Sequence, residues 1–201
     1  MKFGRLQPNS RFAEFHDVLM SHPDWLKPWE GTFFRFQSIG YPNPKDVLSG
    51  RGARDRGGRW NPPGVTAIYG SITDNTALEE CKGNDRYYGV ETKGPRLLVA
   101  VEAKLVGALD LTDPAIRRTL RVTLKELAAE DWRKLLHAGK ESTTQALGRA
   151  TASIRGSGLL ARSATVHRGI NIVVFPGAHG ADRTVVVDAD QLSQLGVRLT
   201  T

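Results

Sequence analysis

A run of glycine and proline at residues 57–64 constrains the fold of this 201-residue chain more than any other stretch, and it reads Gly-Gly-Arg-Trp-Asn-Pro-Pro-Gly. Glycine permits backbone conformations that other residues avoid, and proline lacks the N–H that helices and sheets need. The run therefore predicts a rigid loop that presents Arg59. A short buried strand is predicted next, over 65–69 and ending at Tyr69, followed by a helix that carries Glu80.

The rest of the chain mixes strands and helices without regular alternation, which favours an α+β fold over a doubly wound sheet. Residues 39–58 are rich in Gly, Pro and Asn and too long for a simple connection, so they predict an active-site or binding loop. Further strands are predicted at 32–37, 96–103, 170–175 and 184–187. Helices are predicted within the first 30 residues, from a cap at Thr73 or Asp74 to Gly83, over 114–139 with a break near Asp131, and over 142–152.

Length and composition fit a single soluble domain, with 40% hydrophobic residues. We divide the chain into an N-terminal helical and irregular extension, 1–30, and a body, 31–201, on which it packs. No apolar run approaches the roughly 18 residues of a membrane helix, and no apolar segment follows the basic start as in a signal peptide. Cys81 is the single cysteine, which excludes an internal disulfide. We therefore expect a cytoplasmic protein without membrane partners.

The net charge of +7 would attract nucleic acid, anionic lipid and phosphate-bearing small molecules alike. The only dense group, Arg51, Arg54, Arg56 and Arg59, lies among glycines without the interleaved aromatic residues that stack bases. This arrangement suits a compact anion better than an extended strand. A nucleic-acid-binding module or a ribonuclease would rest on the charge alone.

Other common chemistries find little support in the sequence. His137, His167 and His179 lie far apart without an i, i+4 pair, so no metal site is predicted. Cys81 has no evident base that would make it a nucleophile. No Gly-x-Gly-x-x-Gly follows a strand, which argues against a hydride-transferring Rossmann enzyme.

Several spaced motifs together resemble the RES domain family, which is named for its Arg, Glu and Ser. Gly-Gly-Arg-Trp-Asn is followed by a tyrosine ten residues after the arginine, a glutamate eleven further on, and a late Ser-Ala before Gly-x-Asn. In this sequence the matching positions are Arg59, Tyr69, Glu80, Ser163 and Gly169-Ile170-Asn171. Secondary support comes from residues 48–53, 131–132 and 144–148. The resemblance covers about 32–190, and where the family usually has proline before its serine, this chain has Arg162.

The resemblance implies a core of twisted, mostly antiparallel β-sheets flanked by helices, as in ADP-ribosyltransferases of the diphtheria-toxin type. It further implies an NAD+-degrading toxin of a RES-Xre toxin-antitoxin module, restrained by an Xre-like antitoxin. The toxin would contact nucleic acid only indirectly, through that antitoxin. NAD+ would be the substrate, with no bound prosthetic group, and its nicotinamide-ribose bond would be cleaved by phosphorolysis, with inorganic phosphate as co-substrate, or by hydrolysis. Transfer of ADP-ribose to a protein acceptor is the alternative. A homo-oligomer is left open.

The catalytic roles follow from the chemistry of that bond. Its cleavage builds positive charge on the ribose, which a nearby carboxylate stabilises, and we assign this role to Glu80. Glu79 is set aside on spacing alone. Arg59 would bind the pyrophosphate, because an arginine fork matches its oxygens, and Tyr69 would stack on or bound the nicotinamide.

Four further residues are expected to bind the substrate. Arg35 would be a second cation, and Ser163 would hydrogen-bond the ribose or the amide. Trp60 would shape the pocket next to the loop arginine, and Asn171 closes the last motif.

Overall fold

The structure, a computed structural model, describes residues 6–38, 43–89 and 96–192. Helices α1 to α8 are, in chain order, Phe12–Ser21, Pro44–Leu48, Arg51–Arg56, Asp74–Tyr88, Pro114–Thr119, Leu124–Ala129, Trp132–His137 and Thr143–Ser153. Strands β1 to β6 are Leu26–Ser38, Ile68–Ser71, Arg96–Asp110, Gly158–Arg162, Ile170–Val174 and Arg183–Val186. Within the described ranges, every helix is too short or too polar to reach across a lipid bilayer.

The six strands form one sheet that closes on itself. β1 pairs with both β2 and β3, and the ring continues from β2 through β5 and β4 to β3. β6 joins β3 outside the ring, along residues 101–104. The β3–β4 pair is parallel and the other strand pairs of the described residues are antiparallel. The expected α+β, single-domain architecture is confirmed, with one sheet in place of several.

Side chains alternate between the two faces of each strand, and each face has its own apolar core. Ile172 and Val174 of β5 pack with Phe33 of β1 in the core enclosed by the ring. Val173 points the other way and packs with Leu159 of β4 and with apolar residues of α1 and α8. We call this outer surface of β2, β4 and β5 the helix-side face.

The first strand begins earlier than predicted. β1 starts at Leu26 rather than at residue 32, because Pro28 is accommodated within the strand. The pairing of β1 with β3 shifts register between Lys27 and Trp29, and such a bulge is one of the few places where a sheet accepts proline. The division of the chain at residue 30 stays a proposal, and β1 crosses that point.

Other boundaries also move. β2 covers Ile68–Ser71 rather than 65–69, and the region 114–139 holds three helices, α5 to α7. The predicted loop 39–58 contains α2 and α3, while its residues 39–42 lie outside the described part of the chain. α4 continues through Gly83 and ends before Gly89, whose left-handed φ of 59° makes it the true C-terminal cap. The helices predicted near the N-terminus and over 142–152 are confirmed as α1 and α8.

Candidate active site

Strand register brings the polar residues of the last strands together at one end of the helix-side face. Ser71 of β2 lies directly opposite Asn171 of β5, which lies opposite Ala161 of β4. The Ser71 hydroxyl donates to Asn171 Oδ1 at 2.7 Å, and Ser71 is only 2% exposed. This contact fixes the orientation of the Asn171 amide, so its Nδ2 group is free to donate toward the neighbouring helix.

Glu80 of α4 receives that donor and two others. Asn171 Nδ2 and the Ser163 hydroxyl each donate to Glu80 Oε1 at 2.6 Å, and the Thr165 hydroxyl donates to Oε2 at 3.2 Å. Glu79, by contrast, pairs with Lys82 at 2.8 Å on the outer surface of the helix. The structure therefore brings together Glu80, Ser163 and Asn171, and Glu80 rather than Glu79 lies in the cluster.

The segment that carries Ser163 is a tight loop between β4 and β5. The Ser163 N–H donates to Gly169 O at 2.9 Å, and the Ser163 hydroxyl oxygen accepts from the N–H groups of Thr165 and Val166 at 3.0 and 2.8 Å. A Cβ atom at position 169 would approach Val166 and Ser163 to 2.9 and 3.0 Å, so glycine is required there. The Ser163 hydroxyl is held by two donors while it donates to the carboxylate, which leaves it little rotational freedom.

Arg59 and Trp60 lie on the Gly-Pro loop, and Tyr69 holds this loop in place. The Tyr69 hydroxyl accepts from the Trp60 N–H at 2.8 Å and donates to Asn61 Oδ1 at 2.7 Å. Burial raises the pKa of Tyr69 well above its ordinary value, so the hydroxyl stays protonated. Asn61 is fully buried and donates to the carbonyls of Ala53 and Val65 at 2.9 and 2.8 Å. The tyrosine thus uses its hydroxyl within the protein.

Helix α8 supports the loop from the other side. Gln145 is fully buried and donates through Nε2 to Gly58 O at 3.0 Å. A Cβ atom at Gly148 would lie 1.7 Å from Trp60 O, so the loop backbone packs directly on the helix backbone at this glycine. Both contacts belong to the 144–148 motif noted in the sequence.

The Arg59 guanidinium is half-buried and bound to backbone carbonyls. Its Nη1 donates to Leu127 O at 2.8 Å and to Glu130 O at 3.5 Å, at the end of α6. Burial lowers the pKa of Arg59, and the negative charge of Glu80 partly opposes that shift. Arg59 and Glu80 therefore act on one another electrostatically, yet no ion pair within 4.0 Å joins them among the described residues.

A cavity of about 330 Å³ lies between the Gly-Pro loop and the loop after β4. Its lining combines apolar side chains with positively charged ones. The lining residues are Arg59, Trp60, Leu111, Leu124, Leu127, Ala128, Ala161, Arg162, Ser163, Ala164, Val166, His167 and Arg168. None of them is acidic, so the cavity suits an anionic ligand with an apolar part.

Arg35 lies apart from this cluster. It shares the ring-interior face of β1 with Phe33, opposite to the helix-side face, and its Nη1 donates to Val47 O of α2 at 2.8 Å. Burial lowers the pKa of Arg35 to about 10. No contact among the described residues links Arg35 to Glu80.

Sequence reasoning missed Ser71, Thr165 and Gln145 as members of the site. The Ser-x-x-Gln pattern at 142–145 signals a capping box, which the structure shows, but a capping box alone says nothing about a loop. In the described part of the chain, no three His, Cys, Asp or Glu side chains cluster so as to hold a metal ion.

Comparisons with known proteins agree with this arrangement of motifs. A family model described as the RES domain matches residues 32–194. Proteins named NAD(+) phosphorylase MbcT, from Mycobacterium bovis and Mycobacterium tuberculosis, are 28% identical over 153 residues, or 73% of this chain and 73% of each relative. The fold is similar to one in a crystal structure of the M. tuberculosis MbcT-MbcA toxin-antitoxin complex, with a TM-score of 0.63 at 22% identity over 94% of this chain and 98% of that chain.

Proposed function

This chain belongs to the RES domain family, and from that premise we propose that it is a cytoplasmic toxin that degrades NAD+ by phosphorolysis of the nicotinamide-ribose bond. One observation carries the proposal: a carboxylate, Glu80, is held by three side-chain donors, one of which, Ser163, lines a cavity that also has arginines in its lining. The name NAD(+) phosphorylase of the curated relatives supports the same activity. The closed, mostly antiparallel sheet supports the ADP-ribosyltransferase-like core that the family resemblance implies.

The reacting bond determines the role of Glu80. As the bond breaks, positive charge develops on the ribose, and a fixed carboxylate lowers the energy of that oxocarbenium-like state. Ser163 and Asn171 are neutral donors, so they orient Glu80 without cancelling its charge. Either side chain can also exchange its bond for one to a ribose hydroxyl.

Arg59 would bind the pyrophosphate, because it lines the cavity and is anchored at one end of its guanidinium. Trp60 lines the same cavity and would shape it around the substrate. Tyr69 acts as a positioning residue in this proposal, since its hydroxyl fixes the backbone next to Arg59. Arg35 has no step in the mechanism, because its hydrogen bonds to α2 and β1 support a structural role.

The proposed toxin would be restrained by a cognate Xre-like antitoxin, as the MbcT-MbcA complex suggests for this family. Expression of the chain alone should lower cellular NAD+ and arrest growth, and co-expression of the antitoxin should restore both. Growth arrest with unchanged NAD+ would contradict the proposal.

The direct test is product analysis. The purified chain is incubated with NAD+, with and without inorganic phosphate, and the products are resolved by chromatography and mass spectrometry. We expect nicotinamide and ADP-ribose-1″-phosphate, the latter only with phosphate. ADP-ribose alone would indicate hydrolysis, mass added to a protein would indicate ADP-ribosyl transfer, and intact NAD+ throughout would refute all three. An RNA mobility shift that vanishes with salt would then favour nucleic-acid binding.

Glu80→Gln provides the matched variant. Glutamine keeps the Oε1 acceptor for Ser163 and Asn171, so the loop should stay in place while the charge is lost. We expect kcat to fall about 100- to 1,000-fold, the usual loss when one electrostatic stabiliser is removed. Glu79→Gln, on the adjacent surface position, should change kcat by less than about twofold.

A further inference from the structure

We propose that the end of β4 and the loop after it, residues 162–168, form the binding site of the inorganic phosphate that attacks the ribose, held by Arg162, His167 and Arg168. This inference rests on the proposed function and assigns its co-substrate to residues outside the Arg-Tyr-Glu-Ser pattern. Arg162 comes immediately before Ser163 in the sequence, and His167 and Arg168 follow within five residues of Ser163.

The first support is charge without compensation. Arg162, His167 and Arg168 line the cavity together with Arg59, and no lining residue is acidic. Among the residues that the structure describes, none of Arg59, Arg162 and Arg168 has a carboxylate within 4.0 Å. Guanidinium groups that no carboxylate neutralises attract and bind oxyanions strongly.

The second support is a loop that is closed on itself. Arg162 Nη1 donates to Arg168 O at 3.1 Å, which ties the two ends together. Arg168 adopts a left-handed backbone with φ of 59°, a conformation that costs free energy in any residue but glycine. Such strain persists only where the surrounding contacts enforce it, which fits a loop of fixed shape.

The third support is position. The same loop contributes Ser163 and Thr165, which hydrogen-bond the carboxylate of Glu80. An anion bound by this loop therefore lies beside the carboxylate proposed to face the reacting ribose carbon. Arg59 reaches the same cavity from the Gly-Pro loop and suits the pyrophosphate.

The step balances without another reactant. The bond between ribose C1 and the nicotinamide nitrogen breaks, and its electron pair leaves with neutral nicotinamide. An oxygen of hydrogen phosphate donates an electron pair to C1 and forms the new C–O bond. The substitution needs no oxidant or reductant, and the proton of the hydrogen phosphate passes to solvent.

The test compares Arg162→Gln and Arg168→Gln with the wild-type chain in assays of nicotinamide release. Each substitution should raise the KM for inorganic phosphate about 10- to 100-fold, the usual effect of losing one charge-assisted hydrogen bond. The KM for NAD+ should stay within about twofold. Arg118→Gln is the matched control, because Arg118 is an exposed arginine outside the cavity lining and should leave both KM values unchanged.

Two outcomes would overturn the assignment. An unchanged KM for phosphate in both variants would remove the loop from phosphate binding. An equal rise of the KM for NAD+ would show that the loop holds the pyrophosphate instead.

A binding measurement separates this inference from the proposed function. Inorganic phosphate is titrated calorimetrically into the full chain and into the Arg162→Gln, Arg168→Gln double variant. We expect one site in the wild type, weakened at least about tenfold in the double variant. If the wild-type chain binds phosphate in this way but leaves NAD+ intact, the proposed function fails alone. If it binds no phosphate, or if both proteins bind equally, the inference fails.

Discussion

Replacing Gly148 with alanine tests whether α8 positions the Gly-Pro loop. The added Cβ would lie 1.7 Å from Trp60 O and 2.7 Å from Trp60 C, whereas Cβ contacts below 3.0 Å essentially never occur. Both atoms belong to backbone, so no flexible side chain can move aside. The helix and the loop must therefore separate by roughly 1.3 Å, the difference between 3.0 Å and 1.7 Å.

The magnitude follows from two opposing effects. Overpacking costs about 1–3 kcal/mol, and a clash between two backbone segments lies at the upper end of that range, about 2–3 kcal/mol. Alanine in place of glycine inside a helix returns about 1 kcal/mol. We expect a net destabilisation of about 1–2 kcal/mol, which lowers the Tm by about 2–8 °C for a chain of this size. A displacement of about 1 Å at Arg59, next to Trp60, should also lower kcat/KM about 100-fold.

Differential scanning fluorimetry and nicotinamide release measure the two effects. Gly180→Ala is the control, since a Cβ there meets nothing within 4 Å, and it should leave both Tm and activity unchanged. A Gly148→Ala chain with an equal or higher Tm and full activity would show that the loop does not depend on this contact, and the reasoning would be wrong.

Two further substitutions probe the residues that hold the site. Tyr69→Phe leaves the Trp60 N–H and Asn61 Oδ1 without their shared partner, so the free energy of unfolding should fall by about 1–3 kcal/mol. The Tm in fluorimetry should fall with it, and an unchanged Tm would contradict the role of Tyr69 in holding the loop. Ser71→Ala removes the donor that orients Asn171, so kcat should fall about tenfold while the KM for NAD+ stays within about twofold in the nicotinamide assay. A kcat within twofold of wild type would exclude Ser71 as a positioning residue.

Much of the fold follows from local patterns. Apolar runs predict β3 and β5, and the helical spacing of apolar residues predicts α8. The start of β1 could not be predicted, because Pro28 is a breaker unless a neighbouring strand supplies a bulge, and that partner, β3, lies far along the chain. The sequence likewise predicts the end of the helix at Gly83, but α4 continues through it. There the glycine leaves room for Thr165, whose Oγ1 would lie 3.2 Å from a Cβ atom built at position 83.

The sequence predicts the residues of the candidate site more fully than it predicts the contacts between them. Motif spacing identified Glu80, Ser163 and Asn171, which the structure joins by hydrogen bonds. The hydrogen bond between the Tyr69 hydroxyl and the Trp60 N–H depends on tertiary packing, so no local sequence pattern predicts it. The position of Arg35 does have a local signal, since Arg35 lies two residues after Phe33 and therefore on the same, ring-interior face of β1.

The site keeps its two charges apart by binding each to neutral groups. Glu80 accepts from two hydroxyls and an amide, and Arg59 donates to two backbone carbonyls. A direct ion pair between them would cancel much of both fields in the partly buried cleft. Their separation leaves a positive region for phosphate oxygens and a negative one for a ribosyl cation. In the proposed reaction NAD+ presents these two charges at cleavage, at its pyrophosphate and at its nicotinamide ribose, so the arrangement would stabilise the transition state without first breaking a protein ion pair.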